Sequence, residues 1–310
     1  MGLRIVFMGT PEFAVDTLEA LIHSTHKVVG VVTAPDRPQG RGLKLVPSDV
    51  KVCAEKYSLP VLQPEKLKDP EFLKQLSDLQ ADLFVVVAFR MLPEVVWRIP
   101  PKGTYNLHGS LLPQYRGAAP INWAIINGEK ETGVTTFRIQ QEIDTGNILF
   151  QEKIKIEPTD DAGSVYDKLR VIGASLMART VDAIALGTAK EIPQPVVSGN
   201  LRPAPKIFRE TCQINWDQST ESVRNFIRGL SPYPGAWTKL RGQNFKVFSV
   251  ETVHPNEPIK PIGEPGEIKS DFKTFLKIKT TDGWISVLNL QPEGKKRMNV
   301  DEFLRGNKLE

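Results

Sequence analysis

The sequence contains few cysteines and histidines and no long apolar run. Its two cysteines, Cys53 and Cys212, lie far apart in a chain of 310 residues, and neither belongs to a CxxC pair. The four histidines form no His/Cys cluster, so we expect no metal site and two reduced thiols, as in a cytoplasmic protein. The longest apolar run, residues 83–89, is far shorter than the roughly 18 residues of a membrane-spanning helix. No membrane partner is therefore expected.

The turn after the first apolar run lacks the glycine pattern of nucleotide-binding proteins. Residues 9–13 read Gly-Thr-Pro-Glu-Phe, which matches neither G-x-G-x-x-G nor the P-loop sequence. This absence argues against a nicotinamide-linked oxidoreductase. Thr10 is suited to capping a helix that has Pro11 at its first position. Phe13 belongs either to the core or to one wall of a substrate pocket.

Apolar runs alternate with helical patterns through the first half of the chain. The runs are residues 5–8, 28–32, 83–88, 105–107 and 134–139, and the helical patterns are residues 11–22, 50–57, 70–76, 119–126 and 164–186. Several runs are continuous, as in strands that are covered by helices on both faces. The pattern predicts an α/β domain over residues 1–188 with a doubly wound, mostly parallel sheet.

Prolines and glycines interrupt the pattern at residues 189–209, which we interpret as a linker. A short helical pattern follows at residues 220–229. Short β-like runs then occupy residues 244–253, 266–268, 275–280 and 284–290. Short strands separated by turns predict a small barrel or sandwich over residues 210–310.

Positive charge is concentrated in the second half of the chain. Residues 190–310 carry 19 Lys and Arg against 14 Asp and Glu, whereas residues 1–189 carry 21 against 22. A basic half beside a nearly neutral one favours a polyanionic partner. An ordinary solvated surface has a similar composition, so charge alone leaves both interpretations open.

Two polar side chains lie close together in the run that ends near residue 108. Because side chains two positions apart in a strand point to the same face, Asn106 and His108 are expected to project together. An amide donor can stabilise an oxyanion and an imidazole can move protons. A hydrogen-bonded core histidine beside a turn asparagine is the alternative.

Asp144 strengthens the catalytic interpretation. It lies in the turn Asp144-Thr145-Gly146, where a carboxylate brought near His108 would orient the imidazole and favour its charged form. Asp is also common in plain turns, so the sequence does not establish that the two side chains meet. The loop at residues 112–120 contains glycine and small residues that suit close approach of a ligand to the backbone.

These segments together resemble a known family. Asn106-x-His108, residues 110–117 (Ser-Leu-Leu-Pro-Gln-Tyr-Arg-Gly) and Asp144-Thr145-Gly146 are similar to the signature of formyltransferases that use 10-formyltetrahydrofolate. The resemblance implies that Asn106, His108 and Asp144 are the catalytic residues. It also implies a Rossmann-like catalytic domain, 10-formyltetrahydrofolate as formyl donor and no metal.

Further segments resemble the branch of this family whose acceptor is methionyl-tRNA, the initiator form. They are residues 7–14, 35–42, 204–207, 214–216, 227–228, 232–237 and 290–298. The resemblance implies that the C-terminal domain is a small β-barrel of the oligonucleotide-binding type that binds tRNA. It implies an enzyme of protein synthesis, which we expect to be a monomer.

Residue roles follow from the same resemblance. The residues expected to bind the folate donor are Phe89, Arg90, Ser110, Leu111, Leu112, Pro113, Arg116 and Gly117. The residues expected to bind the tRNA substrate are Phe13, Arg37, Arg41, Lys44, Lys206, Lys295 and Lys296. The family often has Ala-Tyr-Gly where this chain has Ala88-Phe89-Arg90. The resemblance therefore does not predict the backbone at this edge of the folate pocket.

Two other functions remain compatible with the residues. A formyltransferase for a small amine, such as a glycinamide ribonucleotide or an amino-sugar nucleotide, would use the same three polar residues. An RNA-binding protein without catalysis would keep the fold and the basic second half. The basic loop around Arg37, Arg41 and Lys44 argues against the first, and the intact triad argues against the second.

Overall fold

The computed structural model describes residues 2–39, 44–196, 199, 201–253 and 263–306. The chain forms two compact units. The first comprises Met1–Gly117, Thr132–Ile154 and Tyr166–Pro203, and the second comprises Ala118–Glu131, Lys155–Val165 and Ala204–Glu310. The last break falls inside the predicted linker, whereas two earlier segments join the second unit. The domain limits at residues 188 and 210 stay predictions.

The first unit is built on a seven-stranded sheet. The strands in this part of the chain are β1 (Arg4–Gly9), β2 (Lys27–Val32), β3 (Arg37–Gln39), β4 (Lys44–Val46), β5 (Val61–Leu62), β6 (Leu83–Val87), β7 (Thr104–His108), β8 (Glu131–Arg138) and β9 (Ile148–Lys155). The sheet order is β5-β2-β1-β6-β7-β8-β9, and β3 pairs with β4 in a separate hairpin. The pairings from β5 to β7 are parallel, and β7 pairs with β8 antiparallel.

Helices connect and cover these strands. They are α1 (Val15–Ile22), α2 (Asp49–Lys56), α3 (Pro70–Asp78), α4 (Glu94–Trp97) and α6 (Ala162–Ala185), whereas α5 (Pro120–Ile126) belongs to the second unit. Val6 and Met8 of β1 pack in one core cluster with Phe72 and Leu76 of α3. The continuous apolar strands are therefore buried by helices, as the sequence pattern predicts.

Helix α6 approaches β7 closely on the face that carries Leu107. A Cβ atom built on Gly173 would lie 2.8 Å from Cδ2 of Leu107, which is closer than carbon atoms pack. The hydroxyls of Thr136 in β8 and Thr180 in α6 lie 2.8 Å apart. Leu107 thus faces α6, and its neighbours in β7 face the other side.

The start of the first helix differs from the sequence prediction. Pro11 has an extended backbone with φ −83° and ψ 171°, and a single 3-10 turn covers Glu12–Ala14 before α1 begins. The N-cap of α1 is Ala14, without a side-chain cap. The predicted capping role of Thr10 and helical position of Pro11 are therefore wrong, because the extended backbone at Pro11 delays the helix.

The second unit contains a curled antiparallel sheet. Its elements are α7 (Thr220–Gly229), β10 (Ala236–Leu240), β11 (Gln243–Val253), β12 (Ile268–Ser270), β13 (Leu276–Lys279), β14 (Trp284–Pro292), β15 (Met298–Asn299) and α8 (Val300–Gly306). The strand order is β10-β11-β14-β13-β12, with β15 beside β14. Register shifts between Val247 and Val250 interrupt the pairing of β11 with β14, and such irregularities bend a strand.

Apolar side chains from α7 and α8 pack against this sheet. Val223 and Ile227 of α7 share a core cluster with Phe245 of β11. The ring of Phe303 in α8 meets Phe245 edge-on at a centroid distance of 5.4 Å, a favourable aromatic geometry. The prediction of an α/β domain followed by a small antiparallel β-domain is confirmed.

The described residues include both cysteines of the chain. Cys53 and Cys212 are free and buried, and burial raises the pKa of the Cys53 thiol to about 11. Within residues 2–39, 44–196, 201–253 and 263–306, no helix is long and apolar enough to cross a membrane. In the same ranges, no three His, Cys, Asp or Glu side chains are grouped as metal ligands would be.

Candidate active site

Asn106 and His108 project from the same face of β7. His108 is the last residue of the strand and Asn106 lies two positions earlier. Since Leu107 points to α6, the two polar side chains lie on the opposite face. His108 is buried and Asn106 is half-buried, so the strand presents an imidazole and an amide side by side, as the sequence predicts.

The imidazole of His108 is oriented by the loop that follows β7. Its Nε2 lies 2.8 Å from the carbonyl oxygen of Tyr115. Because a carbonyl oxygen can only accept, Nε2 carries a proton in this contact. The other ring nitrogen, Nδ1, lies 3.8 Å from Oδ2 of Asp144. The sequence-predicted residues His108 and Asp144 therefore meet, with Nδ1 as the nitrogen on the side of the carboxylate.

The carboxylate of Asp144 is held by the backbone of the same loop. Its Oδ2 accepts a hydrogen bond of 2.9 Å from the backbone N–H of Gly117. Asp144 has φ 55°, a left-handed backbone that Asp tolerates better than most residues. The N–H of Gly117 and the ring of His108 thus face the same carboxylate oxygen.

Gly146 allows the Asp144 turn to lie against β8. A Cβ atom built on Gly146 would lie 1.6 Å from the backbone oxygen of Arg138, and no side chain can occupy that space. The glycine of the predicted Asp-Thr-Gly turn is therefore required by close backbone approach.

The loop after β7 is fixed by buried hydroxyl groups. The Thr135 hydroxyl donates to the carbonyl of Ser110 over 2.7 Å and accepts from the N–H of Leu112 over 3.2 Å. The Ser110 hydroxyl donates to the carbonyl of Gln114 over 2.7 Å. Thr135 lies opposite His108 in the β7–β8 register. The neighbouring strand thereby holds the loop that orients His108.

Sequence reasoning missed three residues that support this loop. Thr135 lies inside a predicted strand, where no pattern marks its hydroxyl. The Gln151 side chain donates to the carbonyl of Leu112 and to the Thr135 hydroxyl, each over 2.9 Å. Gln194 lies in the segment interpreted as a linker, yet it hydrogen-bonds Arg116 over 2.6 Å. Their roles depend on long-range contacts that spacing along the chain does not reveal.

The residues predicted to bind the donor lie in two loops. Phe89 and Arg90 follow β6, and the Arg90 guanidinium donates to the carbonyls of Pro64 and Glu65. Burial lowers the pKa of Arg90, and the nearby charge of Arg37 lowers it further. These contacts occupy the Arg90 head group, and its predicted role at the donor stays a prediction.

The other predicted donor-binding residues lie in the loop after β7. Ser110, Leu112 and Pro113 are buried there, while Leu111, Arg116 and Gly117 are partly exposed. Leu112 packs with Phe137 and Ile148 in a small apolar cluster. The donor-binding role of these six residues stays a prediction.

The residues predicted to meet the tRNA are distributed over both units. Phe13 is buried and its ring contacts Tyr166 edge-on at 5.2 Å. Arg37 is exposed in β3, Lys44 begins β4, and Arg41 lies outside the described residues. The two ends of the predicted basic loop therefore lie in strands β3 and β4, which pair with each other. Their role toward tRNA stays a prediction.

Lys206, Lys295 and Lys296 belong to the second unit and are exposed. The ammonium of Lys206 lies 5.4 Å from the ring centre of Phe208, which is itself 54% exposed. Lys295 and Lys296 lie in the turn between β14 and β15. That turn is held by a hydrogen bond of 2.8 Å from the Gln291 side chain to the Lys295 carbonyl.

The Asn106 amide can donate a hydrogen bond to a ligand. Within the described residues, its side chain makes no hydrogen bond to another protein group. A half-buried amide with no protein partner, placed beside an imidazole and a carboxylate, is suited to receive a ligand oxygen. The arrangement is suited to acyl transfer at a carbonyl carbon.

Comparisons with known proteins identify the kind of acyl group. The chain matches the formyl transferase family over residues 3–181 and the C-terminal domain of formyl transferases over residues 206–308. The chain belongs to the formyl transferase family.

Relatives with curated names are similar over nearly the whole chain. The methionyl-tRNA formyltransferase of Bacteroides fragilis is 54% identical over 98% of this chain and 95% of its own length. The methionyl-tRNA formyltransferase of Porphyromonas gingivalis is 48% identical with the same coverage of 98% and 95%. A solved N-formyltransferase from Helicobacter canadensis, bound to folinic acid and dTDP-3-aminofucose, has a TM-score of 0.68 at 20% identity. The match covers 96% of this chain and 100% of the Helicobacter canadensis chain, and the two proteins share the fold.

A substitution at Gly146 should disturb the site through Asp144. Because the new Cβ of Gly146→Ala would overlap the Arg138 carbonyl, the turn must move and displace the carboxylate. We expect formyl transfer to fall by about 100-fold, the effect of misplacing a reacting group by roughly 1 Å. Initial rates and a thermal melt measure activity and folding together.

Gly306→Ala is the matched control, because nothing lies within 4 Å of the Cβ position there. It should leave the rate unchanged. Wild-type rates in folded Gly146→Ala would contradict the proposed constraint on Asp144.

Proposed function

We propose that this protein transfers the formyl group of 10-formyltetrahydrofolate to the free α-amine of methionyl-tRNA. The product is the N-formylmethionyl-tRNA that starts protein synthesis. The observation that carries the proposal is the Asn106 amide, which makes no side-chain hydrogen bond within the described residues. It projects from the same strand face as His108, whose Nδ1 lies 3.8 Å from Oδ2 of Asp144. The near full-length similarity to methionyl-tRNA formyltransferases supports the choice of acceptor. Such an enzyme works in the cytoplasm, and we propose that it acts as a monomer.

The attacking group in this reaction needs little activation. A free α-amine has a pKa of about 7.7–8.0, so a useful fraction is neutral near pH 7. The larger barrier lies in the negative charge that develops on the formyl oxygen and in the proton that the attacking nitrogen must lose. The protein groups are therefore assigned to the oxygen and to the proton.

Asn106 is assigned to the formyl oxygen. Its amide is half-buried and has no other hydrogen-bond partner in the described residues. A donor that is free before the reaction can strengthen its hydrogen bond as charge develops. His108, when protonated, supplies a second donor to the same region.

The geometry of His108 selects its working nitrogen. Since Nε2 donates to the Tyr115 carbonyl, Nδ1 is the nitrogen that can exchange a proton with the reactants. The Nδ1–Oδ2 separation of 3.8 Å exceeds a direct hydrogen bond, so Nδ1 is not committed to the carboxylate. A proton lost by the amine therefore has a route along the edge of the carboxylate.

The transfer is balanced without an added reagent. The amine nitrogen forms a bond to the formyl carbon, and the bond from that carbon to the folate nitrogen breaks. The proton released by the amine passes through Nδ1 of His108, or through a water held by Asp144, to the folate nitrogen. The residues proposed to bind the donor are Phe89, Arg90, Ser110, Leu111, Leu112, Pro113, Arg116 and Gly117.

Exposed basic residues are assigned to the tRNA. Arg37 lies on the β3–β4 hairpin, and Lys206 lies beside the exposed ring of Phe208. Lys295 and Lys296 occupy an ordered turn on the second unit. Cations contact phosphates and exposed rings can stack on bases. Arg41 and Lys44 complete the proposed phosphate contacts, and Phe13 is proposed as one wall of the pocket for the methionyl side chain.

Replacing the amide donor should lower turnover without weakening tRNA binding. We expect Asn106→Ala to reduce kcat by about 100- to 1,000-fold, the usual effect of removing one oxyanion donor. The measurement is formylation of charged methionyl-tRNA with saturating 10-formyltetrahydrofolate, together with the Kd for the tRNA. Asn215→Ala, in an exposed turn of the second unit, is the control and should retain full activity.

An equal loss of kcat and tRNA affinity in Asn106→Ala would contradict the oxyanion role. If the wild type fails to formylate charged methionyl-tRNA while the donor is intact, small amines such as a glycinamide ribonucleotide or an amino-sugar nucleotide are tested next. Tight tRNA binding without any transfer would instead favour the binding-only function.

Removing two lysines should flatten the salt dependence of tRNA binding. The slope of log K for tRNA binding against log salt is negative. We expect Lys295→Ala/Lys296→Ala to reduce its magnitude by about one per lost phosphate contact. The control is Lys27→Ala/Lys102→Ala, which removes the same charge at the amino ends of β2 and β7. His108 lies at the opposite, carboxyl end of β7. An unchanged slope in the first variant, or an equal change in both, would remove this turn from the tRNA surface.

A further inference from the structure

The side chain of Gln194 connects two loops of the candidate active site. Its Nε2 donates to the backbone carbonyl of Asp144 over 2.7 Å and to that of Gly146 over 2.9 Å. Its Oε1 accepts from the Arg116 guanidinium, with distances of 3.2 Å to Nε and 2.6 Å to Nη2. One carboxamide thus contacts the turn of Asp144 and the loop after β7.

These contacts determine the orientation of the carboxamide. Carbonyl oxygens only accept and a guanidinium only donates, so a flipped amide would lose all four hydrogen bonds. Both hydrogens of the amide nitrogen and both lone pairs of its oxygen are used. Gln194 is consequently suited to orienting groups on either side and has no capacity left for a substrate.

The segment that carries Gln194 is anchored to the sheet. Ile192 exchanges two backbone hydrogen bonds with Ile148 of β9, at 2.8 Å and 2.9 Å. Glu191 forms an ion pair of 3.0 Å with Arg138 at the end of β8. Because Glu191 and Ile192 are both held by strands, the backbone position of the nearby Gln194 is constrained.

The Asp144 turn is held from two directions. Gln194 holds its backbone carbonyl, whereas the N–H of Gly117 holds its carboxylate at 2.9 Å. The left-handed backbone of Asp144, with φ 55°, is a conformation that persists when its surroundings enforce it. Loss of the Gln194 contacts would free the backbone while the carboxylate kept one hydrogen bond, and the carboxylate would then no longer be directed at His108.

We infer that Gln194 is a positioning residue, which acts on the reaction by fixing Asp144 opposite His108 and Arg116 beside it. The inference rests on the catalytic role proposed for Asp144. Gln194 touches neither the amine nor the formyl group in this assignment. Its effect passes through the turn that it holds.

The test is a double-mutant cycle between Gln194 and Asp144. Gln194→Met keeps the length of the side chain and removes its hydrogen bonds. In the wild-type background it should lower kcat by about 10- to 100-fold, as loss of an orienting contact does. The KM for methionyl-tRNA should stay within about twofold, since uniform binding of the acceptor is retained. The comparison of kcat is made at saturating 10-formyltetrahydrofolate, because Gln194 also holds Arg116, a proposed donor-binding residue.

In an Asp144→Ala background, Gln194→Met should have less than about a twofold further effect. Residues that act as a unit are non-additive in this way. A purely structural role predicts the opposite, because loosening the chain would lower the rate by the same factor in both backgrounds. Equal factors would overturn the inference.

Two further variants test the donating half of the Gln194 carboxamide and the anchoring of the segment that carries it. Gln194→Glu can still accept from Arg116 but cannot donate to the Asp144 and Gly146 carbonyls, so it should lower kcat as much as Gln194→Met. Glu191→Gln weakens the anchoring pair with Arg138 without touching the Asp144 carbonyl, and its small effect should be additive with Asp144→Ala. Wild-type turnover in Gln194→Glu would contradict the assignment to Asp144.

The cycle also distinguishes the two levels of the account. If Asp144→Ala alone retains wild-type turnover, the proposed catalytic role of Asp144 fails. If Asp144→Ala is inactive while Gln194→Met is fully active, that role survives and the positioning inference fails.

Discussion

The hydrogen bond from the Gly117 N–H to the Asp144 carboxylate joins the two chain segments on which the site depends. It spans 2.9 Å and brings the turn after β8 against the loop after β7. His108 is fixed by the same loop, through the Tyr115 carbonyl. This hydrogen bond acts together with the Gln194 side chain, which contacts both loops, and the two hold the carboxylate and the imidazole in register.

The sheet determines where these loops begin. β7 pairs parallel with β6 and antiparallel with β8, so Thr135 of β8 lies beside His108 and can hold the following loop through its hydroxyl. Helix α6 covers the Leu107 face and leaves the Asn106 and His108 face to the site. Left-handed backbones at Tyr115 and Asp144, with φ 60° and 55°, show the local strain that such loops carry.

Much of the architecture and the three polar residues could be predicted from the sequence. Strand β6 was evident as a continuous apolar run, because a strand buried on both faces has no alternation. Asn106 and His108 could be paired by the two-residue period of a strand. Asp144 required the family resemblance, because no local pattern reports which distant side chain a turn residue meets.

Other features depend on contacts that a linear pattern does not encode. Gln194 lies in a proline-rich segment interpreted as a linker, and the contacts that tie it to the sheet are long-range: the pairing of Ile192 with Ile148 and the ion pair of Glu191 with Arg138. Thr135 resembled any β-branched strand residue. The start of α1 was misplaced because Pro11 is compatible with both a helical first turn and an extended backbone, and the fold selects the extended one.

The central claim is that the imidazole at the end of β7 moves a proton during formyl transfer. It is tested most directly by single-turnover transfer from 10-formyltetrahydrofolate to charged methionyl-tRNA, with both substrates saturating, in the wild type and in His108→Ala. The account predicts rapid transfer by the wild type and a decrease of about 100- to 10,000-fold in the variant, the usual range for a general acid–base group. Equal single-turnover rates in a folded His108→Ala protein would contradict it.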